Sequence, residues 1–285
     1  MNTLLTAVFD IVSFASVLVL VVLGLGVIAS LMGIFNFAHG EFVLLGGYIL
    51  FLVQRAGYPS WLGILLAPVV VGLLGWGVER LVVRRFYDEP VGAMLATFAL
   101  GLIIRESVRY ALGGNYFQVA EPISGSYVLG SLHFSTWRIF LIGAAIAIVA
   151  ASWLLLRCTR LGLLVRATLE NPSLTRASGF STASFYTAAF VFGSALAGLA
   201  GALIVPSFSL FADLGTRFLI QGFISVLTGG IGTFEGPLAG AFAVGGLSAG
   251  LPWLISPVLS DVLVFVLAIL FVKFRSDGLL VIKRK

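Results

Sequence analysis

Nine apolar stretches follow one another along this chain, separated by six shorter breaks and two longer ones, at 110–138 and 156–184. The stretches run roughly over 8–33, 41–54, 61–79, 92–110, 138–156, 184–205, 217–229, 237–252 and 257–273. A helix needs about 20 apolar residues to cross a bilayer. Inside lipid, every backbone N–H and C=O must find its partner within the protein. The pattern therefore predicts an all-α polytopic membrane protein with about eight or nine transmembrane or re-entrant helical segments. Only 10% of the 285 residues are charged, against about 25% in a soluble domain, which excludes a cytosolic enzyme and a disordered chain. So many segments use up most of the length, so 1–285 is expected to be a single transmembrane domain. Segments two, seven and eight are short for a full crossing. Short, Gly-interrupted segments of this kind line pathways inside a bundle.

The charges give an orientation. If the break after segment three is cytoplasmic, the same side receives Arg80, Arg84, Arg85, Arg157, Arg160, Arg166, Arg176, Lys273, Arg275, Lys283, Arg284 and Lys285. The opposite side receives Arg55, Arg105, Arg109, Arg138 and Arg217. This bias places the C-terminus inside the cell and accounts for the net charge of +5 without nucleic acid. Lysine occurs only at 273, 283 and 285, none of them preceded by Gly. The chain thus lacks the GxxxxGK[ST] loop that cradles nucleotide phosphates, and any ATP used would be hydrolysed by another chain. Lys and Arg are absent before Arg55, so a cleaved leader is not expected. The one cysteine, Cys158, reads as a free thiol. Trp61, Trp137, Trp153 and Trp253 fall near segment ends, where interfacial rings are favoured.

Four places carry polar chemistry. Gly33-Ile34-Phe35-Asn36-Phe37-Ala38-His39-Gly40-Glu41 interrupts a long apolar stretch. It fits a cytoplasmic turn capped by Asn36 and Glu41, and equally a pathway-lining break with Asn36 and His39 on one face. Thr228-Gly229-Gly230-Ile231-Gly232-Thr233-Phe234-Glu235-Gly236-Pro237 fits a tight turn or a set of free backbone groups facing a polar solute. Between Arg157 and Ser184, Asn171-Pro172 reads as a cap with Pro at the first helical position, and Gly179 as the stop. The short helix between them would gain stability by docking on another protein; a solvated loop is the other reading. Arg105, Glu106 and Arg109 share one side of segment four, as a vestibule or as snorkelling interfacial charges. GxxxG spacings at 236–240 and 246–250, and Gly193, Ala197 and Gly201, point to close helix packing, internal or against a second subunit. No Ser-His-Asp set or metal-ligand spacing accompanies His39 and His133.

Three blocks, in order, resemble one family. Asn36-Phe37-Ala38-His39-Gly40-Glu41 is similar to the INFAHGE block of branched-chain amino acid ABC transporter permeases. Thr159-Arg160-Leu161-Gly162-Leu163-Leu164-Val165-Arg166-Ala167 resembles their TRxGxxxRA block. Gly229-Gly230-Ile231-Gly232-Thr233 with Gly236-Pro237 resembles their GGIGSxxG block. The resemblance covers nearly the whole chain and is to the first, LivH-like permease of the pair. It implies an inner-membrane importer subunit working with a homologous second permease, two cytoplasmic ATP-binding subunits and an extracytoplasmic solute-binding protein, in membrane lipid. No cofactor of its own is implied, and ATP would be used by the partners. It implies a substrate pathway or gate near Asn36, His39, Glu41, Thr228, Gly229, Gly230, Thr233 and Glu235. It implies a cytoplasmic coupling loop over 157–184, with ATPase contact by Arg166, Glu170, Asn171, Pro172, Leu174, Arg176 and Gly179. Leu95 to Gly101 and Asp213-Leu214-Gly215 are also similar to the urea and short-amide branch, so such an importer is the alternative. An ion-coupled carrier is a further one.

Overall fold

The structure, a computed structural model of the chain, describes residues 2–275 and 278–279. The basic residues Lys283, Arg284 and Lys285 lie outside them. Eleven α-helices are present among the described residues. They are α1 (Asn2–Met32), α2 (His39–Arg55), α3 (Ser60–Leu81), α4 (Pro90–Leu112), α5 (Thr136–Cys158), α6 (Arg160–Glu170), α7 (Pro172–Ala177), α8 (Thr182–Ile204), α9 (Leu214–Gly229), α10 (Glu235–Gly250) and α11 (Pro257–Phe274). Nine of these match the nine apolar stretches. Six helices are long and apolar enough to cross a membrane: α1, α3, α4, α5, α8 and α11. The short segments two, seven and eight become α2, α9 and α10, of 17, 16 and 16 residues.

Two elements were not legible in hydropathy. One is a hairpin of β1 (Ser126–Leu129) and β2 (Leu132–Ser135), paired antiparallel in the long connection between α4 and α5. The other is α6, an amphipathic helix that hydropathy merged into the loop after Cys158.

α1 sits at the centre and is mostly buried. One side joins the main core, with Val17, Val21 and Ile28 against Phe42, Phe190 and Phe218. The other side, Leu18, Val22 and Leu25, meets Val226, Ala241, Val244 and Val264. Small residues set the closest approaches. Gly245 faces Ala15 and Pro237 faces Gly26, so α1 and α10 run antiparallel in close contact. Gly193 lies against Gly24, Gly201 against the Val43 carbonyl and Gly240 against the Ser225 carbonyl. The small-residue spacings of segments six and eight are thus used inside the chain.

The bundle has an inverted internal repeat. α1, a break in the α-helix, α2, α3 and α4 are matched in order by α8, a second break that opens with a 3-10 turn at Val205–Ser207, α9, α10 and α11. α1 packs on α10 as α3 packs on α8; α2 packs on α3 as α9 packs on α10. α2 and α9 run in opposite directions from a shared level, where Gly40 and Gly215 touch. Repeats of this kind place binding sites at the junction of broken helices.

One end of the bundle carries the α3–α4 connection, α6, α7 and the α9–α10 turn; the other carries the hairpin. At the first end Tyr87 donates its hydroxyl to buried Glu79 and sits edge-on to Tyr186 of α8. Burial, followed by this bond to Glu79, pushes the Tyr87 phenol up from its ordinary value. At the hairpin end Trp137 departs from the interfacial expectation. It is fully buried, bonds the Leu203 carbonyl at 3.2 Å and stacks on Phe140.

Candidate functional site

Gly33, at φ +64°, ends α1. The chain then turns back into the bundle without helical structure until His39. Asn36 organises the break: its Oδ1 accepts from the Ala38 amide at 3.0 Å and its carbonyl accepts from the His39 amide at 3.2 Å. The Phe37 amide donates to Thr97 Oγ1 of α4 at 3.1 Å. His39 Nε2 lies 3.0 Å from the Val21 carbonyl. A carbonyl can only accept, so Nε2 carries the proton. Val21 lies near the middle of α1, so α2 begins near the middle of the bundle. The capped surface turn is therefore the reading that fails: Asn36, His39 and Glu41 are all fully buried.

α9 arrives at the same level from the opposite side. Gly215 and Leu219 in its first turns lie beside Gly40, with Glu41 Oε2 next to Gly215. The positive N-terminal ends of two half-helices thus converge. Glu41 is paired with Arg105 of α4, whose Nε is 3.1 Å from Oε1 and whose Nη2 reaches the same oxygen. Arg109, one turn further, bonds both Asp213 oxygens at 2.8 and 2.9 Å and Glu106 at 2.6 Å. The pairing of Glu106 with Arg109 matches their spacing. The inward pairing of Arg105 across helices had no sequence signal, because Glu41 lies 64 positions away.

Buried polar atoms without a protein partner gather here: Asn36 Nδ2, His39 Nδ1, Glu41 Oε2 and Tyr48 Oη on the α2 side, and Thr216 Oγ1 and Gln221 Oε1 on α9. Each such atom costs about 1–3 kcal/mol. Their concentration at one helix junction marks it as the candidate substrate site. Arg105, which the sequence offered as a vestibule charge, joins it, as do Thr97 and Gly215 from the blocks shared with the urea and short-amide branch; Gln221 is new.

Thr228, Gly229, Gly230, Thr233 and Glu235 do not join this group. They lie at the far end of α9, about 20 Å away at 1.5 Å per residue. Gly230 and Gly232 have φ of +95° and +100°, and Gly229 lies against the Gly236 backbone. Thr233 Oγ1 accepts from the Gly236 amide at 3.0 Å, and Thr228 bonds back to the Ile224 carbonyl at 2.8 Å. The glycine block therefore builds a tight helix-to-helix turn. Glu235 opens α10, half exposed, 3.9 Å from Arg157.

At the same end, the third block makes a corner between α5 and α6. Thr159 Oγ1 accepts from the Gly162 amide at 3.1 Å. Gly162 lies against the Leu156 carbonyl, and Arg166 Nη1 donates to that carbonyl at 2.8 Å. α7 follows with the cap that the sequence predicts: Asn171 Oδ1 accepts from the Leu174 amide at 2.9 Å. Gly179, at φ +86°, ends the turn. Leu174 and Arg176 are exposed on α7, while Thr175 is buried beneath. The side chains of Glu170 and Pro172 lie outside the described residues. Among the described residues, no cluster of His, Cys, Asp or Glu could hold a metal ion.

A bundle of apolar helices, broken at mid-depth around a polar junction, defines a polytopic membrane permease. The family model for the permease component of the branched-chain amino acid transport system matches residues 7–272, and the chain belongs to that family. It is similar to the high-affinity branched-chain amino acid permease protein LivH of Escherichia coli K12, at 26% identity over 97% of this chain and 95% of that one. The probable LivH of Methanocaldococcus jannaschii is 27% identical over 81% and 76% of the two chains. BraD of Pseudomonas aeruginosa is 25% identical over 92% and 90%. A solved structure, PsaBC from Streptococcus pneumoniae in complex with Fab, aligns over 93% of this chain and 89% of that one, at 15% identity and a TM-score of 0.47. The protein is thus a multi-pass inner-membrane transport component and not itself an enzyme.

Proposed function

We propose that this chain is a membrane-spanning subunit of an ABC importer, carrying branched-chain amino acids past the α2–α9 junction. The observation that carries the substrate class is the Glu41–Arg105 pair beside two converging helix N-termini. An amino acid is a zwitterion. Its carboxylate matches Arg105 and the positive helix ends, and its ammonium matches Glu41. Urea and short amides carry neither charge and could only hydrogen-bond to this pair. Phe37, whose ring meets those of Phe98 and Phe223, supplies an apolar surface next to Ala38 and His39 that suits an aliphatic side chain.

In this reading the basic end, with α6 and α7, faces the cytoplasm together with the C-terminus. Leu174 and Arg176 on α7 meet a partner ATPase, and a second permease completes the pathway against α4. An extracytoplasmic binding protein delivers solute at the hairpin end. Uptake by cells expressing the full system tests this. The expectation is ATP-dependent uptake of leucine, with urea and acetamide failing to compete. Competition by urea would favour the amide branch. Uptake that survives ATP depletion and collapses with the ion gradient would favour a carrier, for which buried Glu41 is the candidate ion-coupling carboxylate.

A further inference from the structure

Two cavities, the first at the basic end, join into one amphiphilic groove. The first, of about 550 Å³, lies between α1, α5, α6 and the α9–α10 turn, and Ser30, Arg157, Arg166 and Thr233 are among its walls. The second, of about 600 Å³, runs along α1, α5 and α10 and is almost wholly apolar, with Val12, Val19, Ile146, Val149 and Phe242 in its lining. Trp153, Phe234 and Glu235 line both, so the two are continuous.

The chemistry changes along the groove as it does along a lipid. Trp153 sits at the junction with the Arg157 guanidinium 5.2 Å above its ring. A Trp ring beneath a cation is the arrangement of the membrane–water interface. Arg157 meets Glu235 only at 3.9 Å, beyond hydrogen-bond range, and is mostly exposed. Arg166 spends one N–H on the Leu156 carbonyl, which leaves other donors of its fork. With Glu235 opposing two arginines, the polar end keeps one net positive charge. On α1 the lining runs from Ser30 past Val19 to Val12, 11 and 18 residues away, or about 17 and 27 Å along the helix axis, which is room for acyl chains to the depth of one leaflet and beyond.

We infer that this groove binds an anionic phospholipid, its phosphate held between Arg157 and Arg166 and its acyl chains lying along α1, α5 and α10. Charge complementarity chooses this occupant. A zwitterionic lipid offers the same phosphate but brings with it an ammonium that the net positive end repels. An apolar helix of a partner would fill the lower groove but leave the arginine-lined cavity without an anion. The lipid would brace α6, and through it α7, against α1 and α10. Bilayer composition would then act on the docking helices.

Native mass spectrometry of the full-length chain in mild detergent, titrated with phosphatidylglycerol or phosphatidylcholine, tests the site. Phosphatidylglycerol is expected to be retained preferentially. Arg157→Gln should weaken that binding roughly fivefold, with Arg157→Lys restoring it. Glu235→Gln should strengthen it, a direction that simple damage to the fold would not produce. Ala150→Trp, at an exposed position in the apolar lining, should weaken binding of both lipids. Equal retention of the two lipids by the unaltered chain, or anionic retention indifferent to both Arg157→Gln and Glu235→Gln, would overturn the proposal. So would an efficient cross-link from Ala150→Cys, in a Cys158→Ser background, to a partner permease seated in the groove.

Discussion

Gly40 of α2 and Gly215 of α9 lie backbone against backbone, each facing the other's carbonyl, where two half-helices begin in opposite directions. A methyl group on either residue would collide with backbone, which cannot rotate out of the way as a side chain can. Gly40→Ala and Gly215→Ala are each expected to destabilise the bundle by about 1–3 kcal/mol and to depress uptake. Thermal unfolding in detergent, read beside uptake, checks this. A chain with unchanged melting and transport would mean that the junction yields easily.

The Glu41–Arg105 pair gives a sharper test of the same place. Glu41 is fully buried while the Arg105 side chain is 17% exposed. Removing one partner of a buried pair leaves a charge without compensation, at a cost of about 3–5 kcal/mol. Glu41→Gln and Arg105→Gln should each be damaging, with Glu41→Gln the milder because it relieves the buried charge. The double substitution should be less harmful than the sum of the two. Additive losses in a double-mutant cycle would show that the two groups act apart.

On α7 the prediction separates folding from docking. Asn171→Ala removes the cap on the Leu174 amide, worth about 1 kcal/mol. It should loosen α7 and lower solute-stimulated ATP hydrolysis in the assembled system. Leu174→Ala alters only an exposed side chain, 63% accessible. It should leave melting unchanged while weakening ATPase capture. Full capture by Leu174→Ala would remove that residue from the interface.

The corner between α5 and α6 depends on Gly162. Its backbone lies on the Leu156 carbonyl, which also accepts from Arg166. Gly162→Val should force α6 off α5, reducing both stability and coupling. Limited proteolysis would show faster cleavage after α5. An unchanged cleavage pattern would contradict this account of the corner.

Tyr87 supplies a pH signature. Its phenol is held up, by burial first and by Glu79 second, above an ordinary value of 10. A group whose folded pKa is raised contributes stability that is present below its unfolded pKa and is lost as pH rises through the folded one. Stability should therefore be insensitive to this group below pH 10 and fall above it. Tyr87→Phe should remove that alkaline slope while lowering stability at neutral pH, since Glu79 loses its donor. Identical alkaline unfolding profiles would rule the phenol out as their source.

Hydropathy located nine helices because each carries its apolar run in consecutive residues. It missed α6, whose apolar residues are interleaved with Arg160, Arg166 and Glu170, and it missed the hairpin, whose strands are only four residues each. The polar centre was half legible. Asn36, His39 and Glu41 stood out because ionisable and amide groups are expensive inside an apolar stretch. Arg105 stood out by its charge, and Thr97 and Gly215 only within longer blocks, but the pairing of Arg105 with Glu41 did not, since partners separated by scores of residues leave no local trace. The glycine block at 229–236 is polar in character for a local reason. Its residues make a tight turn with positive φ, and the motif alone could not separate that from a gate.

The antiparallel contact between α1 and α10 bears on how the chain is made. Gly26 and Pro237, which touch in the finished bundle, are 211 residues apart in sequence. At about 5–20 residues per second, α1 waits roughly 10–40 s on the ribosome before that partner emerges. For that interval the Gly26 notch faces lipid or an insertion chaperone. α1 is therefore among the last helices to complete its contacts, and biogenesis is where substitutions at Gly26 should first be felt.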